Sequence, residues 1–161
     1  KAQGFRHWVI LKPAMIMEDI VPPQADMQFA SLRQRGRFET AIAADSGIDW
    51  IAADDIGAFA AAAFADPARF NGHEIDLAVE RATLPEVAAK MSVATGKPVS
   101  AMTLTDDELL DRPYGSLATQ SESWNNVEGY KVDLNAVRSW GVPLTTLDQF
   151  IARNRDKFVI G

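Results

Sequence analysis

Trp8-Val9-Ile10-Leu11 is an unbroken apolar run, followed at once by Lys12-Pro13. Nothing else in the chain limits its fold so strongly. A run this short, with no polar alternation, predicts a strand covered on both faces, as inside a parallel sheet. Proline cannot donate to a ladder and pushes the residue before it toward extended geometry, so the strand should stop at Lys12-Pro13. In open α/β sheets, ligands sit beyond the carboxyl ends of such strands. The segment Ala14 to Asp19 is therefore the first candidate for a ligand-facing turn, with a plain lead into a short helix as the equal alternative.

Further along, Val21-Pro22-Pro23 breaks the chain, and Asp26 is placed to cap a short helix that runs through Leu32 and ends before Gly36. Arg37 to Ile42 and Ile48 to Ala52 are short strand candidates joined by the turn residues Asp45-Ser46-Gly47. The best-defined helix spans Asp55 to Ala65. Its Ile56, Phe59, Ala60, Ala63 and Phe64 fall on one stripe, with Asp54 or Asp55 as cap and Asp66-Pro67 as terminator. Ile75, Leu77 and Val79 alternate with wetter residues, a second strand pattern. Two long strands enclosing a helix predict a parallel crossover, and the fold class is α/β.

Thr83-Leu84-Pro85-Glu86 and Thr105-Asp106-Asp107-Glu108 each spell a capping box. The first opens an amphipathic helix closed by Gly96. Val99 to Leu104 follows as a strand, and the second box opens a helix that Pro113 or Gly115 stops. Ser116 to Asn126 is polar and expected to be helical, Asp133 to cap a short helix to Trp140, and Thr145 to cap the last one. Lys1 to Gly4 has the form of a helix tail, and the first residue is not methionine, so a longer parent protein is expected.

The ten glycines are never closer than ten residues apart. That spacing excludes from this chain both the dinucleotide fingerprint and a phosphate-cradling P-loop, which need clustered glycines at a helix N-terminus. Tyr114 and Tyr130 lack a lysine four residues on, His7 and His73 lack metal-ligand spacing, and no nucleophile elbow occurs. Hence no residue is assigned a catalytic or metal role. A net charge of −6 argues against a nucleic-acid partner. No apolar run approaches the length of a membrane span. The absence of cysteine suits a cytoplasmic setting. Met17 and Glu18 beyond the strand end, and Trp124 and Tyr130 in the polar region, are the candidate substrate-side residues.

Together these pieces resemble a family. Trp8-Val9-Ile10-Leu11-Lys12-Pro13-Ala14, then Met17-Glu18-Asp19, is similar to the WTILRPA…FMEN segment of NmrA-like proteins, relatives of the short-chain dehydrogenases. The likeness continues through Asp55-Ile56-Gly57, Phe70-Asn71-Gly72-His73-Glu74-Ile75-Asp76-Leu77-Ala78 and Thr83-x-x-Glu86. Ala94-Thr95-Gly96-Lys97-Pro98-Val99, Gly141-Val142-Pro143 and Thr146-Leu147-x-x-Phe150 extend it. Two positions depart from the pattern: Lys12 stands where arginine is common, and Asp19 where asparagine is common.

The resemblance implies the C-terminal part of a Rossmann-like parallel sheet with a small α+β substrate-binding subdomain. Residues 1–80 would supply the last strands and helix, with an excursion at 14–52, and residues 81–161 the mainly helical substrate side. It implies NAD(P) as cofactor, with Pro13, Ala14 and Met15 bordering the nicotinamide. A missing N-terminal half of the same protein would carry the glycine-rich loop and any catalytic tyrosine or lysine. The expected activity is NAD(P)H-dependent oxidoreduction of a small organic substrate. The alternative is a dinucleotide-sensing regulator or interaction module without turnover. A homo-oligomer is compatible with either.

Overall fold

The computed structural model describes residues 4–110 and 115–160. In chain order, β1 (Val9–Pro13), β2 (Met15–Ile16) and a 3-10 turn (Met17–Ile20) lead to α1 (Gln24–Gln28), α2 (Ala30–Arg35) and β3 (Arg37–Thr40). Next come β4 (Ile48–Ile51), α3 (Ala53–Ala65), α4 (Pro67–Phe70), β5 (His73–Leu77) and β6 (Glu80–Ala82). The remainder is α5 (Leu84–Thr95), β7 (Ser100–Thr103), α6 (Asp106–Leu110), α7 (Gly115–Val127), α8 (Leu134–Ser139), α9 (Leu147–Asn154) and a closing 3-10 turn (Arg155–Lys157). This is the α/β class expected.

The strands form three small sheets. β1 runs parallel to β5, from Val9 opposite His73 to Pro13 opposite Leu77, with α3 between them in sequence. That is the predicted crossover pairing. β4 lies between β2, parallel, and β6, antiparallel. β3 pairs in parallel with β7. The two strand candidates flanking Asp45-Ser46-Gly47 therefore do not pair with each other; they join different sheets.

β1 corrects one expectation. Val9 and Leu11 pack with the Phe59 and Leu77 cluster, but Ile10 is 39% exposed and Lys12 is also exposed. The strand is covered on one face only. Because valine, isoleucine and leucine are alike apolar, the run conceals an alternation that the partner strand displays. Glu74 and Asp76 stand opposite Ile10 and Lys12, and the Lys12 ammonium lies 3.0 Å from Asp76 and 3.9 Å from Glu74. Among the described residues no strand lies against the other edge of β1.

α3 shows a second difference. Asp55, Phe59 and Ala63 form its buried line, while Phe64 is 86% exposed. At about 100° per residue, Phe64 lies roughly 140° around the helix from Phe59, too far to share its face. Neither Asp54 nor Asp55 caps α3. The N-cap is Ala52, with no side-chain cap of its own. The last helix is likewise capped one residue later than expected, by Thr146 in a capping box with Gln149. Asp26 lies inside α1 and pairs with Arg33 at 3.1 Å; the predicted single helix there is two, broken at Phe29.

Other local expectations hold. Thr83 and Glu86 form the predicted capping box, as do Thr105 and Glu108. Gly36 and Gly96 end their helices in the left-handed conformation, and Asp133 caps α8. Gly4 has the same left-handed backbone. Gly115 opens α7 rather than stopping α6, while Lys1, Pro113 and Tyr114 lie outside the described residues.

The larger core cluster gathers Met17, Trp50, Val87, Met91, Leu147 and Phe150; a second, around Phe59, Phe70, Ile75 and Leu77, sits under β1 and β5. The Trp50 indole N–H is fully buried and donates to the Ala82 carbonyl at 3.1 Å. α5 contributes four buried side chains to the larger cluster, so its start must be held in place. Thr83→Ala removes the hydroxyl that accepts from Glu86 N–H and is expected to lower unfolding stability by about 1 kcal/mol, read as a shifted urea midpoint with unchanged slope.

Candidate functional site

At its carboxyl end β1 changes sheets within one residue. Pro13 still stands opposite Leu77, and the Ala14 N–H donates to the Leu77 carbonyl at 3.0 Å. Met15 already faces Trp50 across the β2–β4 ladder. Ala14 is buried, whereas Pro13 and Met15 are half-buried. Proline suits the crossing point because it has no N–H to strand between two ladders.

The next two candidates are placed by the 3-10 turn. Met17 is fully buried in the larger core cluster. Glu18 is half-buried, and its carboxylate accepts the Ala53 N–H at 2.9 Å. The side-chain cap that α3 lacks locally thus comes from 35 residues away. A negative charge there also complements the positive end of the helix dipole. Asp55, freed from capping, accepts the Thr145 N–H at 2.7 Å and its hydroxyl at 2.9 Å. Burial pushes the Asp19 carboxyl above its ordinary value; a hydrogen bond from the Gln28 side chain opposes that, and the Glu18 charge adds to it.

Trp124 and Tyr130 meet edge to face, centroids 5.0 Å apart, and remain 43% and 38% exposed. The contact depends on the end of α7. Gly129 takes a left-handed backbone (φ +59°), and its N–H donates to the Trp124 carbonyl at 3.0 Å, which turns the chain back. A Cβ there would come 3.0 Å from the Asn125 carbonyl oxygen. α7 is held against the segment between β3 and β4 by polar bonds. Asn126 bonds the Ala43 N–H and the Ala41 carbonyl, each at 2.8 Å, and the Glu122 carboxylate accepts the Ala41 N–H. Those residues were not among the sequence candidates. The available signal was the missing apolar stripe in a helix rich in serine and asparagine.

β4 joins the two groups of candidates. Trp50 stands opposite Met15, and its neighbour Asp49 accepts the Val132 N–H at 2.9 Å. Arg81 grips Asp49 through two bonds, at 2.8 and 2.7 Å, and also donates to the Tyr130 carbonyl at 3.2 Å. A cavity of about 530 Å³ opens beside the 3-10 turn, between Val21, Phe150 and Lys157, with Asp54 and Arg153 bridged at 3.2 Å. Of the sequence candidates only Glu18 lines it. Among the described residues no group of side chains is arranged to hold a metal ion, and no helix is long and apolar enough to cross a membrane.

The family model described as NmrA-like family matches residues 15–158. The chain belongs to the NmrA-like family. Among solved structures, this NmrA-like chain is similar to a Staphylococcus aureus nucleoside-diphosphate-sugar epimerase (18% identity, TM-score 0.71, 91% of this chain and 52% of that one). It is also similar to NmrA, a negative transcriptional regulator, in complex with NAD (14%, TM-score 0.65, 93% and 53%). A third is an Escherichia coli NADPH-dependent quinone oxidoreductase (20%, TM-score 0.65, 90% and 66%). At such identities the likeness establishes a shared Rossmann-like fold. The chain spans about half the length of the first two. No curated protein matches it by sequence alone.

Two substitutions test the local electrostatics around the 3-10 turn of this NmrA-like chain. A carboxyl raised by burial binds its proton more tightly when folded, so it costs stability as pH rises from its ordinary 3.8 through the raised value. Asp19→Asn is therefore expected to raise Tm at pH 7, with the gain fading below pH 3.8. An equal Tm at pH 7 would refute the burial argument. Glu18→Ala is expected to cost about 1 kcal/mol through loss of the α3 cap, measured by urea unfolding.

Proposed function

We propose that this chain is the C-terminal half of an NAD(P)-binding protein of the NmrA-like family. On this reading the complete protein is an NAD(P)H-dependent oxidoreductase of a small organic substrate. Residues 1–80 would complete a Rossmann-like sheet, and residues 81–161 would form the substrate side. The N-terminal half would lie along the free edge of β1. A cytoplasmic setting goes with this reading.

The observation that carries it is the crossing at Pro13, Ala14 and Met15, at the carboxyl end of a parallel strand, where open α/β sheets receive ligands. The residues there fit the nicotinamide end of a dinucleotide. Pro13 leaves no N–H unpaired, the Ala14 N–H is already engaged, and the small Ala14 side chain lets a flat ring approach the backbone. They do not fit the diphosphate end, since the chain has no clustered glycines to grip it. The cofactor, when bound, would supply the hydride. This chain would orient the acceptor: Met17 backs the turn from within the core, Glu18 fixes the turn to α3, and Trp124 with Tyr130 offers an apolar wall.

A sensing role without turnover is the second reading. It is favoured by the likeness to a regulator solved with NAD. The complete protein, titrated with NADPH and NADH, is expected to bind one of them at micromolar concentration or tighter; binding neither would overturn both readings. Turnover of quinones or aldehydes at a rate above the free cofactor separates the enzyme from the sensor.

A further inference from the structure

Asp49 is 0% exposed and sits in β4, every residue of which is buried. A carboxylate in that position must be matched by donors or it destabilises the fold. Here the donors come from two elements distant in sequence. Arg81, on the neighbouring strand β6, supplies two parallel bonds, and the Val132 N–H supplies a third to the same oxygen that Arg81 Nη2 reaches. The same Nη2 goes on to the Tyr130 carbonyl. Two of the three residues 130–132 are thus fastened through their backbones to one ion pair.

The surroundings are fitted to this arrangement. Gly47 leaves room for the arginine stem: a Cβ there would come 2.9 Å from Arg81 Cδ and 3.0 Å from its Cγ. The Arg81 side chain is half exposed, while the Asp49 carboxylate it holds is fully buried. Tyr130 itself reaches back to Trp124 across the Gly129 turn. The backbone on one side of the aromatic pair is therefore set by α7, and on the other by Asp49 and Arg81.

We infer that Asp49 and Arg81 are positioning residues: their ion pair clamps the 130–132 backbone to β4 and so sets where the Trp124–Tyr130 wall stands relative to Met15, which pairs with Trp50 of that strand. The role as a substrate-side wall rests on the function proposed above; the clamp itself does not. A fork-shaped guanidinium is needed because one group must meet a carboxylate with two bonds and a carbonyl with a third.

Removing one partner alone would leave an unpaired buried charge and risks unfolding the protein. The test therefore uses Asp49→Leu with Arg81→Met in the complete protein, an apolar replacement that can keep the core packed while removing every bond to residues 130–132. Amide exchange at Val132 is expected to rise about tenfold or more, with β5 and α5 amides changed by less than about twofold. In 5-fluorotryptophan protein, the Trp124 resonance, assigned with Trp124→Phe, should shift. With an acceptor that the protein turns over, KM should rise about tenfold while the Kd for NADPH or NADH stays put. Arg81→Lys, which keeps the charge but not the fork, should give an exchange rate between the two. Unchanged Val132 exchange with an unmoved Trp124 resonance would overturn the inference, and so would a rise spread evenly over all amides. Failure of the complete protein to bind either dinucleotide would sink the proposed function while the exchange and fluorine measurements still decide the clamp.

Discussion

A charge with no exposure must be answered from inside the protein, and much of this molecule is arranged around one such charge. The Asp49 carboxylate lies in the middle strand of the β2–β4–β6 sheet, beside the fully buried Trp50. Idealised desolvation of a carboxylate is worth far more than any one hydrogen bond returns, so three donors converge on it. Those donors draw β6 and the 130–132 segment onto β4. Trp50 acts in the opposite sense along the same strand, filling the larger core and bonding the Ala82 carbonyl. The strand that carries the costliest polar group is thus also the one to which the ends of the other elements are tied.

Local signals in the sequence were legible where the physics is local. Capping boxes at Thr83 and Thr105 depend on residues three apart, and both form. The alternation at Ile75 and Leu77 and the amphipathic face of α5 depend on strand and helix periods and appear as expected, whereas Val79 lies beyond the end of β5 and its neighbour Ala78 is buried. What failed was long-range. Asp54 and Asp55 had the composition of a cap, but Glu18 reaches α3 from outside and Asp55 turns to Thr145. No window over neighbouring residues contains that information, because two acceptors competed for one role and tertiary packing chose. Likewise nothing in the sequence marks Asp49 and Arg81. Neither belongs to a motif, and their partnership exists only after β4 and β6 have paired.

The candidate site shows the same division. Pro13, Ala14 and Met15 could be found because a proline ending an apolar strand has one geometric consequence, and the chain does leave one ladder for another there. Trp124 and Tyr130 stand out as aromatics in a polar stretch, and they do meet. Their supports were not visible. The bonds from Asn125, Asn126 and Glu122 to residues 41–46 span about half the chain, and polar side chains that bond backbone leave no periodic trace. The cavity at Val21, Asp54 and Phe150 was missed for a related reason, since it lies where elements far apart in sequence fail to close over one another.

β1 links these observations to the family. Half of its surface is dry against α3 and half is wet, with Lys12 ion-paired to β5 across the sheet. Arginine and lysine differ at such a place. A guanidinium offers a fork able to hold two carboxylates at once, whereas the Lys12 ammonium is a compact charge that lies close to Asp76 and at the margin of contact with Glu74. The Asp76 hydrogen bond raises the lysine pKa above its ordinary value. An exposed cation beside an open strand edge also discourages indiscriminate edge-to-edge pairing, because a wrong strand must bury or displace it. The strand that ends at the candidate site therefore carries its own selectivity: any strand added along the β1 edge would have to leave the Lys12–Asp76 face in water.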